Sequence, residues 1–324
     1  MTAAATSTSV DLPDLIDPPV RPSAKRGRLN RPTVASRLAK IPLYFLAFTM
    51  VAPFYWMVVS VFKPVPELTR SPPTWFPDDP TFNSFYDPVW TPTENRFGHV
   101  AGLFQRFEQV PLGYWRFMLN STLVAVTITL GALLIASLTS FVLAKHRMPG
   151  RQVIFIGIIS SMMIPWQVTL VPNYLTVRNL GWIDSYQAYV IPALAKAFVV
   201  FFLVQYMRSI PDELIQAARV DGAGEWRIWW NIVMPMIRPA LAAMAIFVVL
   251  GEWNNFLWPL IIVQNDELAN LPVAMARMNS SVLGAANSGV LMAAALVAAL
   301  PTVTFFLVFQ KQFTRGIAIT GLKG

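Results

Sequence analysis

Two ionisable residues stand where the chain is otherwise apolar: Lys196, inside the stretch Ser185–Met207, and Glu252, inside Ala240–Val263. Charge is costly in hydrocarbon, so such groups face a bundle interior or a wet cavity, and they either pair or mark a solute path. Each lies 11 or 12 positions from both ends of its stretch, which in consecutive antiparallel helices sets them at similar depth. Two readings stay open: a structural ion pair, or polar groups lining a pore. Directly after Glu252 come Trp253, Asn254 and Asn255. An aromatic face suits the C–H groups of a sugar ring, and amides both donate to and accept from hydroxyls. The same triplet also suits helix packing and interhelical hydrogen bonding, so a substrate path and a packing role are both open. Other chemistries are excluded or disfavoured. The chain has no cysteine, hence no disulfide, thiolate ligand or cysteine nucleophile. Its two histidines, His99 and His146, are too few and too far apart to suggest a metal site. No nucleophile–base pair stands within the apolar stretches, which argues against a membrane enzyme.

The elements that must position these groups follow from composition. Of 324 residues, 55% are hydrophobic and 13% charged, with a mean hydropathy of +0.50; a soluble domain carries roughly 25% charged residues. A bilayer core takes about 20 apolar helical residues to cross. Four uncharged runs reach that length: Ile41–Phe62, Phe117–Ala144, Gln152–Val177 and Met278–Gln310. Ser185–Met207 and Ala240–Val263 join them if one central charge each is allowed. Strand-like alternation is not seen, which disfavours a membrane β-barrel. Pro53, Pro165, Pro192 and Pro301 fall inside spans and read as kinks whose freed carbonyls neighbouring helices re-satisfy. The expected fold is all-α: a polytopic bundle of six transmembrane helices. Residues 1–40 form a disordered basic tail, 41–62 the first span and 63–116 an outer loop. Residues 117–310 form the core, interrupted by a loop at 208–239, and 311–324 a second tail.

Orientation follows from lysine and arginine. With the N-terminus inside, inner segments hold 17 of these residues and outer segments 7, so both termini are expected in the cytoplasm. The net charge of +8 thereby becomes a record of topology, and nucleic acid is not an expected partner. The cluster Arg21–Lys40 reads as a positive-inside flank, with anionic lipid or nucleic acid as the other readings. In the outer loop, Phe97, Val100, Ala101, Phe104 and Phe107 share one face of a short helix. That face is expected to pack on the chain's own spans, with the membrane or an extracytoplasmic partner as alternatives.

The loop from Ser209 to Pro239 reads as two short helices around a turn. Pro211 suits a first helical position, and Asp212 and Glu213 complement the positive helix end. Asp221-Gly222 marks the turn. A second helix runs to about Met234 with Trp226, Trp229 and Trp230, which suit a membrane interface. Such a pair of helices at the cytoplasmic face could transmit a push from a soluble partner.

This segment resembles the "EAA" coupling loop of permeases in binding-protein-dependent ATP-binding-cassette importers: E-A-A-x-x-D-G-A, a spacer, then I-x-x-P-x-x-x-P. Ala217, Ala218, Asp221, Gly222, Ala223, Ile232, Pro235 and Pro239 match, and Gln216 stands where glutamate is usual. Asn120-Ser121, Met148-Pro149-Gly150-Arg151, Ile164-Pro165, Leu180-Gly181, Ile210-Pro211, Trp253-Asn254 with Trp258-Pro259-Leu260, and Gly321–Gly324 are similar to the carbohydrate-uptake branch. The resemblance covers roughly residues 41–324 and is greatest to the maltose-type second permease subunit.

The resemblance implies a type I importer transmembrane domain in the bacterial inner membrane. It also implies a second, different permease subunit, two cytoplasmic ATPase subunits, an extracytoplasmic sugar-binding protein and a sugar substrate. ATP and magnesium would belong to the ATPases; this chain has no G-x-x-x-x-G-K-[ST] phosphate loop and is expected to bind no cofactor. Glu213, Gln216, Ala217, Ala218, Asp221, Gly222, Ala223 and Pro235 would form the ATPase contact. An ion-driven secondary transporter of a small polar solute is the competing function. It would call for inverted repeats and paired membrane carboxylates, whereas Glu252 is the one deep carboxylate.

Overall fold

The computed structural model describes residues 40–87, 101–107, 113–279 and 288–321, with side chains for all of these but 107, 279 and 309–321. The tail expected over 1–40, save Lys40, lies outside them, as do Phe97 and Val100 of the outer-loop face. All regular structure among the described residues is helical.

The first helix, α1, is Ile41–Val61 and keeps Pro53 inside it. The second, α2, is Tyr114–Lys145; at 32 residues it is about 48 Å long, more than a bilayer core needs. One face of α2 carries buried Phe117, Val124, Ile128, Ala132 and Ala136, spaced seven and then four apart as one helical stripe. That face packs along α6 and α9, defined below. Buried Ala125, Ala132, Ala136, Ser137 and Ser140 let backbones approach, and Ser140 Oγ donates to the Val200 carbonyl at 3.0 Å. Leu119, Leu123 and Leu130 on the opposite face are exposed, an inversion of soluble-protein logic that a lipid environment removes.

Three of the expected spans are interrupted rather than kinked. Helix α3, Arg151–Ser161, and α4, Trp166–Asn179, meet at 97°. The residues after α3 wind out through i to i+3 bonds ending at Ile164 N to Ser161 O, and Pro165 is extended (ψ 128°). Proline disfavours helical geometry in the residue before it and offers no N–H, so the helix restarts in a new direction. Helix α5, Tyr186–Val190, passes into a 3-10 turn, Ile191–Ala193, containing Pro192; α6 then begins at Ala197 and ends at Arg208. The short helices α7, Asp212–Val220, and α8, Glu225–Met236, follow, and α8 turns through 78° into α9, Arg238–Trp253. The expected span Ala240–Val263 stops at Trp253 and resumes as α10, Leu257–Ile262.

The last expected span, Met278–Gln310, is also corrected. Met278 belongs to a separate helix, α11, Leu271–Asn279, and the long helix, α12, is Ser288–Gly321 with Pro301 inside. Absence of charge defined that span in the sequence, and uncharged polar residues such as Asn279 escape that criterion. Four segments are long and apolar enough to cross a membrane: Ile41–Val61, Tyr114–Lys145, Tyr186–Arg208 and Ser288–Val308. Counting the bent pairs α3–α4 and α8–α9 as one span each gives six.

Polar ties fix the ends. Asn120 Nδ2 donates to the carbonyls of Glu267 and Ala269, each at 2.8 Å, and its Oδ1 accepts from Tyr186. One amide thus joins α2, α5 and the loop before α11. After α1, Lys63 and Glu67 are buried; Lys63 Nζ donates to the Thr74 carbonyl and Thr74 Oγ1 to Glu67. Phe104 stacks on Phe85 and Trp115, so this member of the outer-loop face packs on the chain itself.

Candidate functional site

The three interruptions converge. A cleft of about 460 Å³, within the roughly 300–1,000 Å³ usual for small-molecule sites, is lined from all three broken spans. The start of α4 gives it Trp166, Thr169 and Asn173. The break before α6 gives Pro192, Ala193 and Lys196, and the break after α9 gives Glu252, Asn254, Asn255 and Trp258. In transporters, solute sites are built where helices are discontinuous, because the freed backbone then borders a cavity instead of lipid.

Lys196 and Glu252 meet here: Nζ to Oε1 is 2.5 Å, with side chains 30% and 7% exposed. Lys196 occupies the N-cap position of α6 and Glu252 the last turn of α9, so the pair joins two helix ends. Asn255 Nδ2 donates to Glu252 Oε2 at 3.1 Å, and Asn254 Nδ2 to the Leu250 carbonyl at 2.8 Å. Asn270 Nδ2 holds the Asn255 carbonyl at 2.7 Å, and Trp258 Nε1 donates to the Ala188 carbonyl at 2.9 Å. The cleft wall is thereby pinned at four points.

The structure divides the triplet Trp253-Asn254-Asn255. Trp253, buried as the last residue of α9, lines a separate apolar pocket of about 200 Å³ with Val249, Pro301 and Phe305. The aromatic rings at the cleft are instead Phe256 and two tryptophans, Trp166 and Trp258, which were not singled out for this role from sequence. Their signal was the neighbouring proline: Trp166 follows Pro165 and Trp258 precedes Pro259. Neighbours in sequence part because Trp253 is still on the helix and Asn254 has left it.

A second constellation lies at the far end of α2. Helix α7 buries Ile215 and Ala218 and exposes Glu213, Gln216, Ala217 and Asp221. It closes with Ala223 N bonded to the Ala218 carbonyl and Gly222 N to that of Arg219, the paired bonds of a Schellman stop. Gly222 has φ +79°, the left-handed conformation that costs any L side chain energy. The D-G-A spacing is therefore the geometry of a helix stop. In α8, the stretch Trp229–Val233 is π-helical just before Pro235, where proline deletes one i to i−4 bond. Trp229 is buried, whereas Trp226 and Trp230 are exposed.

The segment is clasped to α2. Lys145 Nζ donates to the Ile210 carbonyl and to Asp212 Oδ1, both at 2.6 Å. His146 Nε2 lies 2.9 Å from Glu225 Oε2, and Arg219 holds the same carboxylate in two bonds of 2.7 and 3.2 Å. The hydrogen bond and charge of Lys145 hold the Asp212 carboxyl below its ordinary range, and Arg219 does the same, most strongly, for Glu225.

Comparison with known proteins agrees with this architecture. The chain is 32% identical over 291 residues to the arabinooligosaccharides transport system permease protein AraQ of Halalkalibacterium halodurans, covering 90% of this chain and 98% of that one. It is 34% identical to the sn-glycerol-3-phosphate transport system permease protein UgpE of Shigella flexneri over 63% of this chain and 73% of the relative. The crystal structure of a bacterial ABC transporter involved in import of the acidic polysaccharide alginate contains a chain of the same fold. Its TM-score is 0.72 at 20% identity, covering 86% of this chain and 98% of that one. Residues 132–319 match the family described as the binding-protein-dependent transport system inner membrane component. The chain belongs to that family and is a multi-pass membrane permease of the ABC importer class.

Proposed function

We propose that this chain is one of two permease subunits forming the pore of an ATP-driven sugar importer, with both termini in the cytoplasm. The cleft between Trp166, Lys196–Glu252 and Trp258 is the part of the solute path that this subunit supplies. Two ATPase subunits hydrolyse ATP outside this chain, and an extracytoplasmic binding protein delivers the sugar. The observation that carries the reading is the convergence of three helix breaks on one polar cleft.

Coupling runs through the clasp. The exposed face of α7, with Glu213, Gln216 and Ala217, seats on an ATPase. Its movement passes through Lys145–Asp212 and His146–Glu225 to α2, which packs along α6 and α9. Those two helices end at Lys196 and Glu252, so the same bodies that receive the push form the cleft. The arabino-oligosaccharides in the name of the relative from Halalkalibacterium halodurans support a saccharide cargo. The test is ATP-dependent uptake of labelled oligosaccharides into proteoliposomes holding the full complex. Uptake must require the binding protein and vanish with Gly222→Pro; uptake that persists without ATP would overturn the proposal.

A further inference from the structure

We infer that the cleft admits a neutral, hydroxyl-rich saccharide and excludes anionic ones, and that Glu252 is the residue that sets this selectivity. The inference rests on the reading of the cleft as a sugar path. Names among the relatives do not decide the matter, since they include a phosphate ester and an acidic polysaccharide.

Three observations carry it. Among the described residues lining the cleft, Lys196 and Glu252 are the only ionisable ones, and at 2.5 Å their charges cancel. Without Glu252 the cleft would be cationic. Lys196 would stand unpaired beside the N-terminal ends of α4 and α6, each carrying a partial positive charge of about one half. Glu252, only 7% exposed, is the counter-charge to all three.

The third observation concerns the amides. Asn254 Nδ2 is engaged by the Leu250 carbonyl and Asn255 Nδ2 by the Glu252 carboxylate. Both partners are acceptor-only, which fixes the orientation of each amide. The Oδ1 atoms of both asparagines have no partner among the described residues, so this side of the cleft offers acceptors. Sugar hydroxyls donate to acceptors; carboxylates and phosphates cannot, and with Lys196 neutralised by Glu252 they meet no net positive charge in the cleft. Glu252 thus acts twice, by neutralising Lys196 and, through its bond from Asn255 Nδ2, by leaving the Asn255 side-chain Oδ1 free to accept.

The test uses the assembled permease–ATPase complex in nanodiscs and saturation-transfer NMR, which reads weak binding and resolves mixed ligands. The probes are neutral disaccharides (arabinobiose, maltose, cellobiose) mixed with digalacturonate. The wild type is expected to favour a neutral probe over digalacturonate by about tenfold or more. Glu252→Gln, nearly isosteric, is expected to bring that ratio to about one or below by admitting digalacturonate. Lys196→Met should leave digalacturonate excluded, because the carboxylate remains. A purely structural pair would lower stability in both variants without changing the ratio. Equal binding of the uronate by wild type, or an unchanged ratio in Glu252→Gln, overturns the inference while leaving the sugar path standing. Binding of no saccharide at all overturns the sugar path itself, and the inference with it.

Discussion

Removing one partner of a buried ion pair strands the other, whereas removing both does not. Truncating one member typically costs about 3–5 kcal/mol, and replacing the pair by apolar groups is often neutral. Lys196 is 30% exposed and Glu252 only 7%, so stranding is more costly for Lys196→Met, which leaves the deeper charge alone. We therefore expect Lys196→Met to lower the melting temperature of the detergent-solubilised protein more than the double variant Lys196→Met/Glu252→Met does. A double variant less stable than Lys196→Met would refute that accounting. At Gly222 a different physical cause operates. A Cβ there would meet nothing within 4 Å, so the penalty is conformational only. Gly222→Ala is expected to cost about 1–2 kcal/mol locally. Hydrogen exchange of residues 212–223 should quicken correspondingly, with the rest of the chain unaffected.

At the scale of elements, the clasp between α2 and the coupling segment separates strong contacts from weak ones. Lys145 is 3% exposed and Asp212 70%; exposed ion pairs contribute about 0–1 kcal/mol. The bond from Lys145 to the Ile210 carbonyl is the more valuable, because a buried acceptor left unmet costs about 1–3 kcal/mol. Lys145→Ala should therefore uncouple ATP hydrolysis from uptake more severely than Asp212→Ala. Equal effects would show that the ion pair alone matters. The pH behaviour has a definite sign. Carboxyls held below their ordinary range in the folded state contribute stability above the unfolded pKa, near 4, and lose it as pH falls through the lowered folded value. Asp212 and Glu225 are both of this kind. In a His146→Gln background, the distance between spin labels at Met148→Cys and Val220→Cys should stay constant from pH 5 to 8. It should lengthen only in stronger acid; a change near pH 6 would contradict this. The absence of native cysteine makes both labels specific.

For the whole molecule, the charge balance and the two polar constellations make one statement. The basic segment 145–151 and the charge-balanced loop 208–239 lie at the clasp, whereas Asp184, Asp266 and Glu267 lie toward the other end of α2, where Asn120 holds the Glu267 carbonyl and Asp184 accepts from the Gln264 and Asn265 N–H groups. Single cysteines at Val220 and at Asp266 should therefore react with a membrane-impermeant maleimide from opposite sides. In intact cells only the label at 266 should react. Labelling of both from outside would overturn the proposed orientation.

What the sequence by itself determined was set by local and additive properties. Apolar runs and the helix-stop chemistry of Asp221-Gly222-Ala223 each depend on residues a few positions apart, so the all-helical membrane class and the helix stop were legible there. A proline in a span was legible as well, but its consequence was not. Pro53 and Pro301 remain inside helices, whereas Pro165 and Pro192 stand at interruptions. That outcome depends on whether neighbouring helices or a cavity receive the freed backbone, which is a property of packing. The same cause explains why depth alone paired Lys196 with Glu252 only as one of two readings, and why Trp253 and Asn254 face different spaces. Only the tertiary structure decided that three breaks meet, and their meeting turns isolated polar residues into one cleft.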